Sequence, residues 1–295
     1  MPSILQKLSH LNIDRAKGAA PHKPLLLLCL LEIAEEGGLS QELMPITGEL
    51  AFRFAGYWSV VAHRRPQRPD MKLPLFHMKS DGFWQPLDEQ LTVLRHREMP
   101  AFIRFDAGFL AAVNNPESRA QARALIIRTY FEPHEQVALW ALTGRTPPPP
   151  DRDGPGPLPP DKDATERGRE GRFRIGVITA YDYTCALTGY RLVTLSSGTI
   201  VDAAHIHQFA ASRNNFLSNG IALSKNAHWL FDNGLWSLRD DYTVLLAERH
   251  FCESGEAAHL LSGMRNRKIT LPAEPAHWPA QRHLEWHRTH RFLGS

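Results

Sequence analysis

The sequence predicts an α+β protein in two parts, joined by a proline-rich linker. Three stretches carry that expectation. Residues 25–34, LLLLCLLEIA, are an almost unbroken apolar run of helical length. Residues 145–170, RTPPPPDRDGPGPLPPDKDATERGRE, are rich in proline and charge and have no apolar periodicity, which describes an extended connector. Residues 199–238 then alternate between a short apolar run, a polar loop, a helical pattern and a second apolar run. The expected division is a first α/β domain over residues 1–144, the linker over 145–170 and a second domain over 171–295.

In the first part, Pro21 and Pro24 open a helix that Gly37 and Gly38 close, and its apolar circumference puts it at the centre of its domain. Residues 50–58 fit helix and strand equally. The segments 73–78 and 83–86 flank Ser80-Asp81-Gly82, a turn signal that predicts a hairpin. Residues 117–130 have the spacing of an amphipathic helix. In the second part, residues 173–181 read as a helix. Thr199-Ile200-Val201 leads a strand through His205, and Asn219-Gly220 reads as a turn. Residues 224–231 read as a helix that puts His228 and Asp232 one turn apart on one face, with Gly234 just past its end. Residues 235–238 and 242–247 are strand-like, and the tail to Phe292 is an apolar-anchored basic helix.

Composition narrows the class. The chain has 295 residues, enough for two cores, and its 43% hydrophobic and 22% charged content is that of a globular protein. A formal charge of +3 is mildly basic and suits a nucleic-acid partner. The three cysteines are scattered and form no CxxC pair, so no zinc clamp is signalled. With no signal-peptide pattern and no apolar run long enough for a bilayer, the expected location is the cytoplasm, with no membrane partner.

At Ala203-Ala204-His205-Ile206, Asn219-Gly220-Ile221-Ala222-Leu223 and His228 through Gly234, the sequence resembles the HNH (ββα-metal) endonucleases of restriction type. The resemblance implies metal-dependent phosphodiester hydrolysis with a divalent ion, Mg2+ or Mn2+, other transition metals being open. Such chemistry needs a base for the attacking water and a cation against the charge on the phosphate. By the resemblance, His205 is the general base, Asn219 holds the loop that aims it, and His228 is a metal ligand. Relatives place an acidic or histidine ligand immediately before the base, where this chain has Ala204. Asp202 is therefore the candidate carboxylate, with Asp232 in reserve, although Asp232 reads equally well as a local polar contact. His207, on the same strand face as His205, reads as a wall of the site. Cys185 keeps only the first position of the paired cysteines that many relatives use, so packing is expected to replace that metal.

The first part carries a second resemblance. Ala20 through Leu28 (APHKPLLLL) and Pro74 through Trp84 (PLFHMKSDGFW) are similar to the sulfur-binding domain fused to HNH domains in enzymes that restrict phosphorothioate-modified DNA. Leu75 and Met78 replace Phe and Leu of that pattern, both conservative core changes. His63, Arg64, Arg65, Arg68 and Lys72, together with Arg213 in the second part, are candidate DNA contacts, since cations fix register on the phosphate backbone. The expected partner is double-stranded DNA, phosphorothioate-modified by this resemblance. Cutting both strands with one small site per chain suggests a homodimer or sequential nicking. The rival expectation is a DNA-binding defence sensor with an inactive nuclease domain.

Overall fold

The computed structural model describes residues 3–16, 18–65, 67–149, 158–196, 198–255 and 261–294. These fall into two units, one spanning residues 1–171 with 194–198, the other residues 172–193 with 199–295.

The first unit contains α1 (Ile4–Ser9), α2 (His22–Glu35), β1 (Leu43–Pro45), α3 (Gly48–Trp58), α4 (Lys72–His77), β2 (Trp84–Leu87), β3 (Phe102–Phe105), α5 (Ala107–Asn114), α6 (Pro116–Tyr130), α7 (Pro133–Thr143) and the first half of α8 (Lys162–Ala180). Helix α2 is the axis. Leu25 through Leu31 are each at most 1% exposed, because α3, α4, α5 and α6 all pack on it. Each buried leucine contributes about 1.5–3 kcal/mol, so this one helix supplies much of the unit's cohesion. It stops at Gly37, whose φ of +82° suits a residue without Cβ.

Strand order is β1-β3-β2 with both pairs antiparallel. This corrects the α/β expectation for the first unit: its short strands form a small antiparallel sheet beside a helical core, without parallel crossovers. The expected hairpin across Ser80-Asp81-Gly82 is also corrected. Residues 72–77 are helical, and β2 pairs with β3 instead. The turn is used to reverse from helix to strand, and it is tied inward because Asp81 pairs with Lys23 of α2 at 2.5 Å. Residues 50–58, ambiguous in sequence, are the helix α3.

Helix α8 corrects the C-terminal end of the expected linker. Residues 162–170 are helical, and Gly168 lies so close to α7 that an added Cβ would sit 2.2 Å from the Ala138 carbonyl oxygen. Asp161 starts the helix by accepting the Ala164 amide at 2.8 Å. Residues 150–157 of the expected linker lie outside the described residues.

The second unit takes the rest of α8. After β4 (Val193–Thr194) and β5 (Gly198–Thr199), which straddle the division, it continues with β6 (Val201–His205), α9 (Phe209–Ser212), β7 (Gly220–Ser224), α10 (Lys225–Asp232), β8 (Trp236–Leu238), β9 (Val244–Leu246) and α11 (Gln281–His290). β6 and β7 are antiparallel, with Asp202 opposite Leu223 and His205 opposite Gly220. α10 follows β7 directly and buries Ala227 and Phe231, one turn apart, against the sheet side. Beneath it α11 places His287 flat against Phe231, ring centroids 3.8 Å apart. The predicted Asn219-Gly220 turn is corrected. Gly220 is the first residue of β7 at φ −117°, an ordinary strand value. Glycine is needed there for space, since a Cβ would come 2.2 Å from Val177 and 3.0 Å from Phe173 of α8. Among the described residues no helix is long and apolar enough to cross a membrane.

Candidate active site

His205 ends β6, where the chain leaves the sheet for a polar loop. Its ring is half-buried and stacks on Phe173 of α8, centroids 3.9 Å apart and planes within 8°. That stack depends on Gly220, which admits α8 against the strand pair. The Oδ1 atom of Asn215 lies 2.9 Å from His205 Nε2. Because that oxygen can only accept, a neutral ring carries its proton on Nε2 and its basic lone pair on Nδ1.

Asn219 is fully buried, and its amide is saturated by the loop backbone. Oδ1 accepts the His207 N–H at 2.8 Å, while Nδ2 donates to the carbonyls of His207 and Asn214 at 2.9 and 3.0 Å. Its own carbonyl accepts the Ile206 N–H at 2.9 Å. Asn219 thus staples the segment immediately after His205 back onto the sheet. His207, expected as a wall, stacks on Trp286 of α11 with centroids 4.1 Å apart.

Asp202, His228 and Asp232 form a second group. His228 Nδ1 faces Asp202 Oδ2 at 3.9 Å, an ion-pair distance, and His228 Nε2 lies 3.3 Å from Asp232 Oδ2. Lys225 pairs with Asp202 Oδ2, and Arg174 lies 3.8 Å from Oδ1. His228, then Lys225 and Arg174, hold the Asp202 carboxyl down at about 2 against its partial burial. Reciprocally, the Asp202 carboxylate raises His228 above the usual histidine value, with Asp232 adding to it.

This donor set fits a divalent cation. With ligand bonds of about 2.1 Å, the 3.3 Å between His228 Nε2 and Asp232 Oδ2 corresponds to an ordinary angle of about 100° at one ion, whereas the 3.9 Å to Asp202 Oδ2 would close a little on binding. The Lys225 ammonium on Asp202 shows that the place already attracts a cation, and its side chain is 75% exposed, so it can swing aside. The two carboxylates approach opposite nitrogens of one ring. His228 with Asp202 would hold a cation through Nδ1, with Asp232 orienting the ring; through Nε2 the two carboxylates would exchange those parts.

Asn215, Phe173, Lys225 and Arg174 were missed by the sequence reading. Asn215 carried a signal, as one of two adjacent asparagines in the loop after the strand. The other three come from helices whose facing depends on packing.

Of the residues expected to meet DNA, His63, Arg68 and Arg213 are exposed, while Arg65 and Lys72 are half-buried. Arg64 is committed inside the first unit: Nε and NH2 reach Glu135 at 2.6 and 2.9 Å, and NH1 reaches the Ala19 carbonyl at 3.0 Å. Those bonds give Arg64 a structural part in place of the expected phosphate contact. Cys185 is buried, with Ser224 Oγ 3.6 Å from its sulfur.

A strand pair followed by a helix, with a histidine ending the first strand and another on the helix, is the arrangement expected of a ββα nuclease site. Residues 185–239 match the family model described as HNH endonuclease. The match takes in β6, β7 and α10 of the second unit. HNH nucleases generally use a divalent metal. Among solved structures, the chain is similar to one titled modification dependent TagI restriction endonuclease, at 22% identity and a TM-score of 0.30, covering 40% of this chain and 36% of that one. No curated protein matches.

Proposed function

We propose that this chain is a metal-dependent, restriction-type endonuclease acting on double-stranded DNA. The observation that carries the reading is that one short unit supplies both halves of the chemistry. It has an oriented histidine at the end of β6, and an Asp-His pair suited to a cation between β6 and α10. A divalent ion held by His228 with Asp202 or Asp232 supplies charge stabilisation for the phosphate and the leaving 3′ oxygen.

The protein's own residues do the rest. His205 takes the proton of the attacking water at Nδ1, because Asn215 fixes the opposite tautomer and Phe173 fixes the ring plane. Asn219 keeps the following loop from moving that ring. Arg213, exposed beside the loop, contacts a neighbouring phosphate.

For the first unit, the proposed role is reading a DNA modification, phosphorothioate being the candidate, as part of defence against phage. The two stretches that resemble a sulfur-binding domain support this by meeting in the fold. Lys23 of the first and Asp81 of the second form an ion pair whose side chains are 8% and 5% exposed, and Asn12 caps both. Arg65 and Arg68 are the proposed backbone contacts there.

The test is cleavage of plasmid and of plain, methylated and phosphorothioate duplexes with Mg2+ or Mn2+. His205→Ala is expected to lower the rate by about 10²–10⁴-fold, the usual worth of a general base. Equal cutting by the variant removes His205 from that role. Equal gel-shift affinity for modified and plain duplexes removes the modification reader.

A further inference from the structure

We propose a second metal site, in the first unit, where His63, His134 and Glu135 bind a tetrahedral transition-metal ion such as Zn2+. Their ligand atoms all lie within 4.8 Å of one another. His63 Nε2 is 3.2 Å from His134 Nε2 and 3.5 Å from Glu135 Oε1. An ion bonded at about 2.0–2.1 Å would subtend about 100° between the two imidazole nitrogens and about 120° between His63 and Glu135, both within the range of a tetrahedral site. Two neutral imidazoles can share only one proton across their gap. A cation satisfies both nitrogens and the oxygen together.

The surroundings are those of a supported ligand set. Glu135 is fully buried and its second oxygen is used up, accepting from Arg64 NH2 and from the Glu132 N–H, both at 2.9 Å. Oε1 accepts Arg64 Nε at 2.6 Å, which leaves its other lone pair for the ion. Behind His134, Glu132 Oε2 lies 3.8 Å from Nδ1, the place of a carboxylate that orients a ligating imidazole. The positive end of α7 opposes a cation here, and Glu132 and Glu135 offset it. His63 and His134 keep 47% and 37% of their side chains exposed, so the ion can enter and the fourth position is open to water. The ion would tie the basic loop after Val61 to the start of α7. It is independent of the ion proposed for the nuclease domain.

The experiment titrates chelator-stripped full-length protein with Co2+, whose visible bands report tetrahedral coordination. In a His228→Ala background, which removes a proposed nuclease-domain ligand, one equivalent still binds with tetrahedral bands. Adding His63→Ala and His134→Ala abolishes those bands, with the circular dichroism spectrum in chelator unchanged. Absence of tetrahedral Co2+ in the His228→Ala chain, or its retention after the two further changes, overturns the site. In the unaltered chain Zn2+ should also slow amide exchange at residues 62–65 and 132–136. Unchanged exchange at both segments counts equally against it.

Discussion

The two units bury different kinds of polar group. Among the described residues of the first, the buried polar ones are all charged: Lys23, Arg53, Arg119, Arg123 and Glu135. Most are paired, as in Lys23 with Asp81, Arg53 with Glu36, Arg123 with Glu35 and Arg64 with Glu135. In the second they are Asn219, Ser237, His283 and His287, none of them a permanent ion. Burial holds His283 and His287 down at about 4, so both are neutral near pH 7. Ion pairs pin helices around α2 without moving anything. Neutral amides and imidazoles hold the loop after His205 and the helix bearing His228, adding no permanent charge beside the proposed site.

The largest effect that would test this contrast is Asp81→Ala. It leaves the Lys23 ammonium buried without its partner, and the expected loss is about 3–5 kcal/mol in denaturant unfolding. Replacing both residues with apolar ones of similar volume should cost far less. If the single change costs no more than the double, the ion pair is not what locks the turn to α2.

Acidification should act mainly through the second unit. The His287 value is about 4 in the fold against about 6.5 unfolded, so the unfolded chain takes the proton first. Its contribution is therefore intact above about pH 6.5 and is lost as pH falls toward 4, amounting to at most about 3 kcal/mol. Hydrogen exchange across that range should show α10 and α11 loosening before α2, and His287→Gln should flatten the slope. Equal loosening of α2 would break the comparison.

Smaller in stability, and more telling for function, is Asn219→Ala. It strips the His207 N–H of its acceptor for about 1–3 kcal/mol, and faster exchange of that amide would report it. Cleavage should fall by more than the lost folded fraction accounts for. A fall that only matches that fraction would make Asn219 a packing residue.

Helix α2 was legible because its apolar run and its end signals agreed, proline at the start and glycine just past the end, and α6 from its apolar spacing alone. Strand β6 and helix α10 were legible for the same reason, and with them the positions of His205 and His228. The Asn219-Gly220 pair was misread because two different demands give the same dipeptide. A turn wants glycine for its φ, whereas here a neighbouring helix needs the room. The hairpin at Asp81 failed because a turn signal says where the chain reverses, not which strand answers it. The end of the linker was obscured by Asp161 and Lys162, which read as solvated charge until the helix they begin is seen.

Local pattern alone, then, determined the apolar axis, the strand and helix carrying His205 and His228, and the resemblance of that stretch to the HNH motif, since these depend on periodicity and on short runs of specific residues. Tertiary structure decided which nitrogen of His228 each carboxylate meets, which helix faces His205, and that Arg64 is spent on Glu135. It also brought His63 beside His134 across 71 positions. Contacts of that kind are set by packing between distant segments, and no spacing along the chain encodes them.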